Sequence, residues 1–439
     1  MFASDNIINT VRSEIVKYSS PENLNLFCKS HPDHSMTGSG TGTRNRKLPF
    51  PDLFHFLLYP RAKSTDIELL EFSHLIGKSN VNKSDFSKRR KLIPAEYLRA
   101  LHRDIVSDIY STGTLNRWHG YLLLAADGTT YSMPNTPQIR EEYLQGRKTG
   151  NGEQVLARGI VLKDVLNDII VASNMECYGR DEIRLLRDEL DKLPDIIRSM
   201  NPVVIMDRKY CAYTLLADLR RRGIDFIIRV KERFNADVDS FIHSEEQTKE
   251  ITLTPAATTI KKLKRIYGLN VNCEFTVRLV RLSGNTVVMT SIKDVSLQQD
   301  QSDPYHLRWD VETTIGFVKN NLQVEIFSSL TDNSIRQDFN AKTIQYNLLS
   351  ILCRRAAELR HDDTKRKINR NVALGILKLE FNIFIENNPL TFKEILHNML
   401  NEMARFSIPI KSERHNPRVF RKIKHSGKYI TLHNYREAI

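Results

Sequence analysis

The chain has 439 residues, of which 41% are hydrophobic and 27% charged, and its formal net charge is +13. This composition is typical of a globular protein with two to four folded units, and no apolar run reaches the length of a membrane span. The N-terminal residues do not resemble a signal peptide, and the five cysteines have neither metal-binding nor disulfide spacing, so we expect a cytoplasmic protein. The excess of cations favours a polyanionic partner, nucleic acid above all.

Helical patterns with capping residues dominate the N-terminal quarter of the chain. The segment from Ser64 to Tyr110 begins with two short helices joined by a tight turn, which resembles a helix-turn-helix. In the second of these helices the pattern directs Lys88, Arg89 and Lys91 to the surface. These three cations are predicted to bind DNA, and a solvated basic face is the equally simple alternative.

Strands and helices alternate in the next part of the chain, which indicates an α/β sheet. Two apolar runs of strand length end in Asp127 and Asp207. Ligands of α/β proteins gather at such strand ends, so we expect both acids at a site there. Each acid also has a simpler interpretation, because Asp127-Gly128 is a common turn dipeptide and Asp207 could cap the helix that follows.

The pattern changes to β-structure alone between residues 232 and 300. Apolar and polar residues alternate strictly from Val271 to Leu279, and the sequence Ser-Gly-Asn at 283–285 predicts a turn. We therefore expect a half-exposed antiparallel insertion in the α/β sheet.

Helical patterns resume after the insertion and continue to about Arg405. The tail that follows is rich in lysine and arginine. We predict that its cations bind DNA, in particular Arg418, Arg421 and Lys422.

The segment YHLRWDVETTIGFVK at 305–319 predicts a helix with one polar stripe. At about 100° per residue, its members fall within about 60° of one another, while Asp310 points roughly the other way. Asp303 and Pro304 supply a predicted cap and first turn. The stripe is either a solvated face beside a core seam or a binding surface, and it consists of Tyr305, Arg308, Glu312 and Lys319.

Asp127, Asp207 and Glu312 together provide three carboxylates. Such hard oxygen ligands suit Mg²⁺, and two such ions can activate the attacking oxygen and stabilise the leaving oxygen in phosphodiester transfer. Arginine and lysine on the same helix would hold phosphates.

At these residues the sequence resembles the bacterial insertion-sequence transposases of the DDE type, specifically the "insertion sequence four" family with its signature Y-x2-R-x3-E-x6-K. Tyr305, Arg308, Glu312 and Lys319 match every spacing of that signature. The segments DGTTYSMPNT (127–136) and MDRKYCAYTLL (206–216) resemble the family's first and second acid motifs, although Lys209 and Tyr210 replace a common glycine and phenylalanine.

The resemblance implies an α/β, RNase H-like catalytic core interrupted by a β-rich insertion. It implies that Asp127, Asp207 and Glu312 are catalytic and bind Mg²⁺, for which Mn²⁺ is expected to substitute. Tyr305 and the two cations of the signature would contact DNA. The implied partners are double-stranded DNA, as terminal inverted repeats and target, and a second subunit when two ends are paired; no membrane is involved.

The expected organisation follows from these patterns and the resemblance. It comprises a helical N-terminal DNA-binding region (1–115), the first part of the core (116–231), the β-rich insertion (232–302), the core helix with the catalytic glutamate (303–350) and a helical C-terminal region with the basic tail (351–439).

The insertion contains neither of the two tryptophans, Trp118 and Trp309. Some members of the resembled family stack a flipped base on an insertion tryptophan while a DNA hairpin forms. If this chain forms hairpins, we expect Phe234, Phe241 or Tyr267 to provide the stacking surface.

The expected function is that of a transposase that cleaves the ends of a mobile element and joins the 3′-hydroxyls to target DNA. Two alternatives stay open at this point. One is a DNA-binding relative without catalysis, and the other is an RNase H-like nuclease that hydrolyses without joining. A strand-transfer assay distinguishes them.

Overall fold

The computed structural model describes the chain from residue 3 to residue 410, except for residues 35–47, 62, 80, 147–153, 268–273, 283–285, 294–296, 298–303, 361–365 and 387. The predicted cap Asp303, the predicted turn at 283–285 and the basic tail with Arg418, Arg421 and Lys422 therefore lie outside the described residues. No helix in the described part of the chain is long and apolar enough to cross a bilayer.

The N-terminal region consists of helices where it is described. They are α1 (Ala3–Tyr18), α2 (Pro21–Ser30), α3 (Phe50–Leu58), α4 (Thr65–Leu75), α5 (Lys83–Arg90) and α6 (Ala95–Thr112). The Asn82 side chain caps α5 by accepting a hydrogen bond from the Asp85 amide at 2.8 Å, as the sequence predicts. Phe86 is fully buried, whereas the burial of Arg90 at the end of α5 is not evident from the pattern.

The predicted alternation of strands and helices is confirmed in the segment that follows. Its elements are β1 (Leu122–Met133), α7 (Pro137–Leu144), β2 (Val155–Asp164), β3 (Ile169–Cys177), α8 (Glu182–Asp191), α9 (Asp195–Arg198), β4 (Pro202–Met206), α10 (Tyr213–Arg221) and β5 (Asp225–Arg229). The strands are apolar because both faces of the sheet are covered.

The prediction that residues 232–300 form only β-structure is wrong. This segment contains α11 (Ala236–His243), β6 (Thr248–Leu253), α12 (Ala257–Tyr267), β7 (Phe275–Arg281) and β8 (Val287–Thr290). Among the described side chains of α12, Leu263 alone is buried. A helix with so narrow an apolar face leaves almost no periodic signal in the sequence.

One sheet joins these strands in the order β3-β2-β1-β4-β5-β8-β7-β6. Strands β1, β4 and β5 are parallel, β2 and β3 are antiparallel to their neighbours, and β8 pairs antiparallel with β5. The inserted strands are antiparallel, as predicted, but they extend the main sheet and do not form a separate one.

The C-terminal part of the described chain is mainly helical, as predicted. It comprises α13 (Trp309–Asn320), α14 (Asp332–Glu358), β9 (Arg366–Ile368), α15 (Arg370–Leu379), α16 (Pro389–Arg405) and β10 (Ser407–Pro409). Helix α14 is buried on nearly every side. Phe339 and Tyr346 pack in one core with α13, and Ile344 and Leu348 pack in another with the N-terminal helices.

Buried charges connect the N-terminal helices to α14. Asp338 of α14 accepts from Arg61 at 2.7 Å and from Arg90 at 3.0 Å, and both arginines are almost inaccessible to solvent. Gln337 also accepts from Arg90 Nε at 2.8 Å. Removing one partner would leave a charge buried without compensation, so the N-terminal helices are firmly attached to the rest of the fold.

The two faces of β1 contribute to different cores. Leu122, Leu124 and Ala126 belong to the core that includes the N-terminal helices, whereas Ala125 packs with Val311 of α13. Because side chains alternate between the faces of a strand, Asp127 emerges on the face that α13 covers.

Candidate active site

Asp127 and Asp207 lie side by side on neighbouring parallel strands. The register pairs Ala125 with Ile205, two residues before each acid, so both carboxylates leave the sheet at the same level and on the same face. Asp207 directly follows β4, as predicted, and its side chain makes no capping hydrogen bond.

The prediction that Asp127 ends its strand is wrong. Strand β1 continues to Met133 while it pairs with β2, so Asp127-Gly128 is not a turn either. What stops near Asp127 is the pairing with β4, whose last partner on β1 is Ala125. The neighbouring chain diverges there because a 3-10 turn follows Asp207. Asp127 is thereby exposed at a gap between two strands.

Glu312 reaches this gap from α13, which packs on β1 and β2. The single helix predicted from Tyr305 is in fact a 3-10 turn, His306–Arg308, followed by α13. The apolar stripe is as predicted, with Val311 fully buried and Val318 nearly so. This stripe fixes the rotation of the helix, so Glu312 faces the cleft.

Arg308 lies among the acids. Its Nη1 donates to Glu312 Oε1 at 2.8 Å, and the residue is only 9% exposed. Burial opposes its ionisation, but the hydrogen bond to Glu312 and the charges of Tyr305, Glu312 and Asp207 outweigh burial and raise the pKa of Arg308. The guanidinium therefore stays charged and partly neutralises the acids around it.

Asp127 is the acid whose ionisation the fold most clearly opposes. Burial and then the charge of Glu312 raise its pKa from 3.8 to about 6. Arg308 and a 3.0 Å hydrogen bond from the Gly128 amide act in the opposite direction without cancelling the shift. The effect of Glu312 on Asp127 shows that the two carboxylates face one gap.

The donor set fits a divalent cation by its chemistry. Carboxylate oxygens are the ligands that Mg²⁺ prefers, and a dication would relieve the repulsion between Asp127 and Glu312. Within the described residues, however, no three His, Cys, Asp or Glu side chains are arranged as a preformed metal cluster. Glu312 is instead ion-paired with Arg308.

The other two residues of the polar stripe lie on either side of Glu312. Tyr305 is half-buried, with its ring centroid 5.9 Å from the Arg308 guanidinium carbon. Lys319 donates to the Thr130 carbonyl at 2.5 Å and lies 3.5 Å from the Glu325 carboxylate. Lys319 thus also ties α13 to β1, a structural role that the sequence does not reveal.

Asp310 points away from the cleft, as the helical wheel predicts. It pairs at 2.5 Å with Lys163, an almost fully buried lysine of β2. The same ammonium contacts Asp168 at 2.5 Å, Thr314 at 2.7 Å and Tyr346 at 3.1 Å. This network anchors α13 to the sheet and to α14 on the side opposite Glu312.

An open cleft leads to the acids. Asp207, Glu312, Tyr305 and Arg308 line it together with two exposed cations and an exposed aromatic ring, which are Arg208, Arg229 and Trp309. The sequence analysis did not select these three, although Arg208 and Trp309 are adjacent to residues that it did select. Adjacency to Asp207 and Arg308 was the available signal for these two.

Glu182 is a further acid of the site that the sequence analysis missed. It is the first residue of α8 and is only 7% exposed. Its Oε1 accepts from Arg158 at 2.8 Å and from Lys209 at 2.7 Å, and its charge contributes to the raised pKa of Asp127. No sequence spacing indicates that it lies near Asp127.

Of the other predicted DNA contacts, Lys88 and Lys91 are exposed and Arg89 is half-buried. The proposed stacking role of Phe241 is not supported, because this ring is fully buried beneath Arg281. Phe234 is partly buried against the same core, and the side chain of Tyr267 lies outside the described residues.

A sheet of this topology with acids at the ends of adjacent parallel strands, and a third acid on a covering helix, defines a candidate nuclease or strand-transfer site. The chain belongs to the family described as Transposase DDE domain, which matches residues 118–348, more than half of its length. That range contains Asp127, Asp207 and Glu312.

A relative in Escherichia coli (strain K12), named "Putative transposase InsZ", is 25% identical over 215 residues, which cover 46% of this chain and 70% of the relative. A cryo-EM structure of a piggyBac transposase synaptic complex with hairpin DNA has 11% identity and a TM-score of 0.40, covering 93% of this chain and 85% of the other.

Proposed function

We propose that this transposase cleaves the ends of a mobile DNA element and joins the freed 3′-hydroxyls to target DNA in a Mg²⁺-dependent reaction. The observation that carries the proposal is the convergence of Asp127, Asp207 and Glu312 around Arg308 at one edge of the sheet. Membership of the insertion sequence four family, based on the signature from Tyr305 to Lys319, is part of the proposal.

The strand order supports an RNase H-like core for this reaction. An antiparallel trio, β3-β2-β1, continues into the parallel strands β4 and β5, with helices on both faces. In the proposed core the two aspartates emerge where β1 and β4 separate, which leaves room for a DNA strand beside them. The segment from β6 to β8 is the insertion.

Asp127, Asp207 and Glu312 would hold Mg²⁺, with Mn²⁺ as a substitute. Bound there, the ions would supply an activated oxygen nucleophile and stabilise the leaving oxygen. Asp127 can ligate only as the carboxylate, and its pKa of about 6 makes this form predominant at neutral pH. No separate general base is needed in this scheme.

Arg308 would exchange its contact with Glu312 for the scissile phosphate. Its planar guanidinium can bind two phosphate oxygens, and its position among the acids places positive charge where phosphate charge must be accommodated. Tyr305 would orient this arginine, and Lys319 would hold the strand end near β1.

The proposed partner is double-stranded DNA, namely the terminal inverted repeats and the target. Arg208 and Arg229 are exposed beside the acids, and Lys88, Arg89 and Lys91 form a second basic surface. Two element ends require two active sites, so we propose a homodimer in the paired complex.

The test is incubation with a duplex that contains the element end and flanking DNA, a target plasmid and Mg²⁺. The expected products are DNA nicked at the element end and DNA joined to the plasmid, and neither product should form with Asp207→Asn. Nicking without joining would identify a nuclease, and binding without nicking would identify a non-catalytic relative. Either result would contradict the proposal.

A further inference from the structure

Glu182 is the acid that the proposed reaction does not use, although it lies within the site. Its carboxylate is packed directly against Gly128, the residue after Asp127. A Cβ added to Gly128 would lie 2.2 Å from Glu182 Oε2, so a larger residue could not occupy this position while the carboxylate stays in place. Glu182 therefore contacts the backbone that carries the first catalytic acid.

The same carboxylate also contacts the segment that carries the second acid. Its Oε1 accepts from Lys209 at 2.7 Å, and its Oε2 accepts from the Tyr210 hydroxyl at 3.4 Å. Lys209 and Tyr210 belong to the 3-10 turn that follows Asp207 directly. Glu182 thus connects the backbone next to Asp127 with the turn next to Asp207.

Two cations are held by this one carboxylate. Arg158 extends from β2, where its Cα is paired with that of Thr130 on β1, and Lys209 approaches from the other strand. Both are near the two catalytic aspartates. Without Glu182, the acids nearest to these cations would be Asp127 and Asp207, and a cation paired with them would compete with a metal ion.

We infer that Glu182 is a positioning residue that keeps Arg158 and Lys209 away from Asp127 and Asp207 and thereby preserves their capacity to bind a divalent cation. This inference rests on the proposed function, because it assumes that those aspartates hold metal. Glu182 itself touches neither metal nor DNA in this scheme. It acts through the two cations that it holds.

The inference predicts a specific pattern of impairment and rescue. Glu182→Gln keeps the shape but frees the two cations, so the Mn²⁺ concentration for half-saturation should rise on the order of tenfold. Lys209→Met in that background restores the local net charge and should recover most of the affinity. A purely structural role for Glu182 would not be rescued in this way, because the second substitution removes a further interaction.

Gly128→Ala gives an independent perturbation that leaves every charge unchanged. The new methyl group should displace the Glu182 carboxylate and weaken Mn²⁺ binding in the wild-type background. In a Glu182→Ala background it should have little further effect. Equal effects in the two backgrounds would contradict the inference.

Glu189 provides a matched control on the same helix. It is also buried, at 3% exposure, and pairs with Arg99 at 2.5 Å, but it lies away from the aspartates. Glu189→Gln should lower thermal stability without changing Mn²⁺ affinity.

The experiment titrates each folded variant with MnCl₂, monitored by electron paramagnetic resonance of free Mn²⁺, and repeats the series as the Mn²⁺ dependence of cleavage. An unchanged Mn²⁺ midpoint in Glu182→Gln, or no rescue by Lys209→Met, would overturn the inference. If the wild-type protein binds Mn²⁺ but cleaves no DNA, the proposed function fails and the binding series still tests Glu182. If it binds no Mn²⁺, both fail.

Discussion

Replacing Asp127 by asparagine should stabilise the metal-free protein while it abolishes DNA cleavage. The fold raises the pKa of Asp127 from 3.8 to about 6, first through burial and then through the charge of Glu312. The unfolded chain therefore ionises this carboxyl group at lower pH than the folded protein does. Ionisation of Asp127 consequently costs folding free energy, and an uncharged amide avoids the cost.

The magnitude follows from the size of the shift. One pKa unit corresponds to about 1.4 kcal/mol, so a shift of about two units gives a cost of up to about 3 kcal/mol. The cost develops between the two pKa values, is complete above pH 7 and is reduced to about half at pH 5. At about 2.1 cal/mol/K of unfolding entropy per residue, the gain in melting temperature is about 3 °C at most for cooperative unfolding of the whole chain.

Thermal unfolding of wild-type and Asp127→Asn protein, with EDTA at pH 8 and pH 5, measures the effect. Asp310→Asn is the control, since Asp310 pairs with the buried Lys163 at 2.5 Å and its removal should lower the melting temperature. No gain for Asp127→Asn at pH 8, or an equal gain at both pH values, would refute the electrostatic argument.

Three further predictions concern catalysis and DNA binding. Glu312→Gln should abolish cleavage and joining but retain DNA binding, whereas folded Asp310→Asn should keep most activity; side-by-side assays in Mg²⁺ that gave the reverse would contradict the assignment. Removal of residues 411–428 should weaken DNA binding and reduce the slope of log K against log salt by about 0.9 for each phosphate that the tail neutralises, which filter binding can measure, and an unchanged slope would count against it. Trp309→Ala should weaken binding of single-stranded DNA by roughly tenfold, because the exposed ring in the cleft can stack on a base, and equal affinities in fluorescence anisotropy would exclude this role.

Local signals in the sequence were sufficient for the main elements of the core. Apolar runs define β4 and the first half of β1, and helical spacing separates Glu312 from Asp310 correctly. Such features depend on the pattern within one element. The end of β1 was misplaced because pairing with β2, which is a contact between segments, carries the strand beyond Asp127.

The remaining features depend on contacts between residues that are distant in the chain. Glu182 and Lys163 have no distinctive sequence neighbours, and their roles arise only when β2, α8 and α13 are brought together. Helix α12 was missed for a different reason, since it buries little apolar surface among its described side chains. A single sequence contains no information of sufficient strength about either kind of feature.

The pairing of β8 with β5 has a practical consequence for anyone who wishes to truncate this protein. Three pairs, from Ile227 with Thr290 to Arg229 with Val288, protect the backbone of β5. Excision of the segment from α11 to β8 would leave that strand as an open edge with unpaired amides and carbonyls, next to the turn that carries Asp207. A minimal catalytic fragment designed by deleting the insertion should therefore aggregate, whereas a fragment that retains β8 and β7 as an edge cover has a better prospect of remaining monomeric.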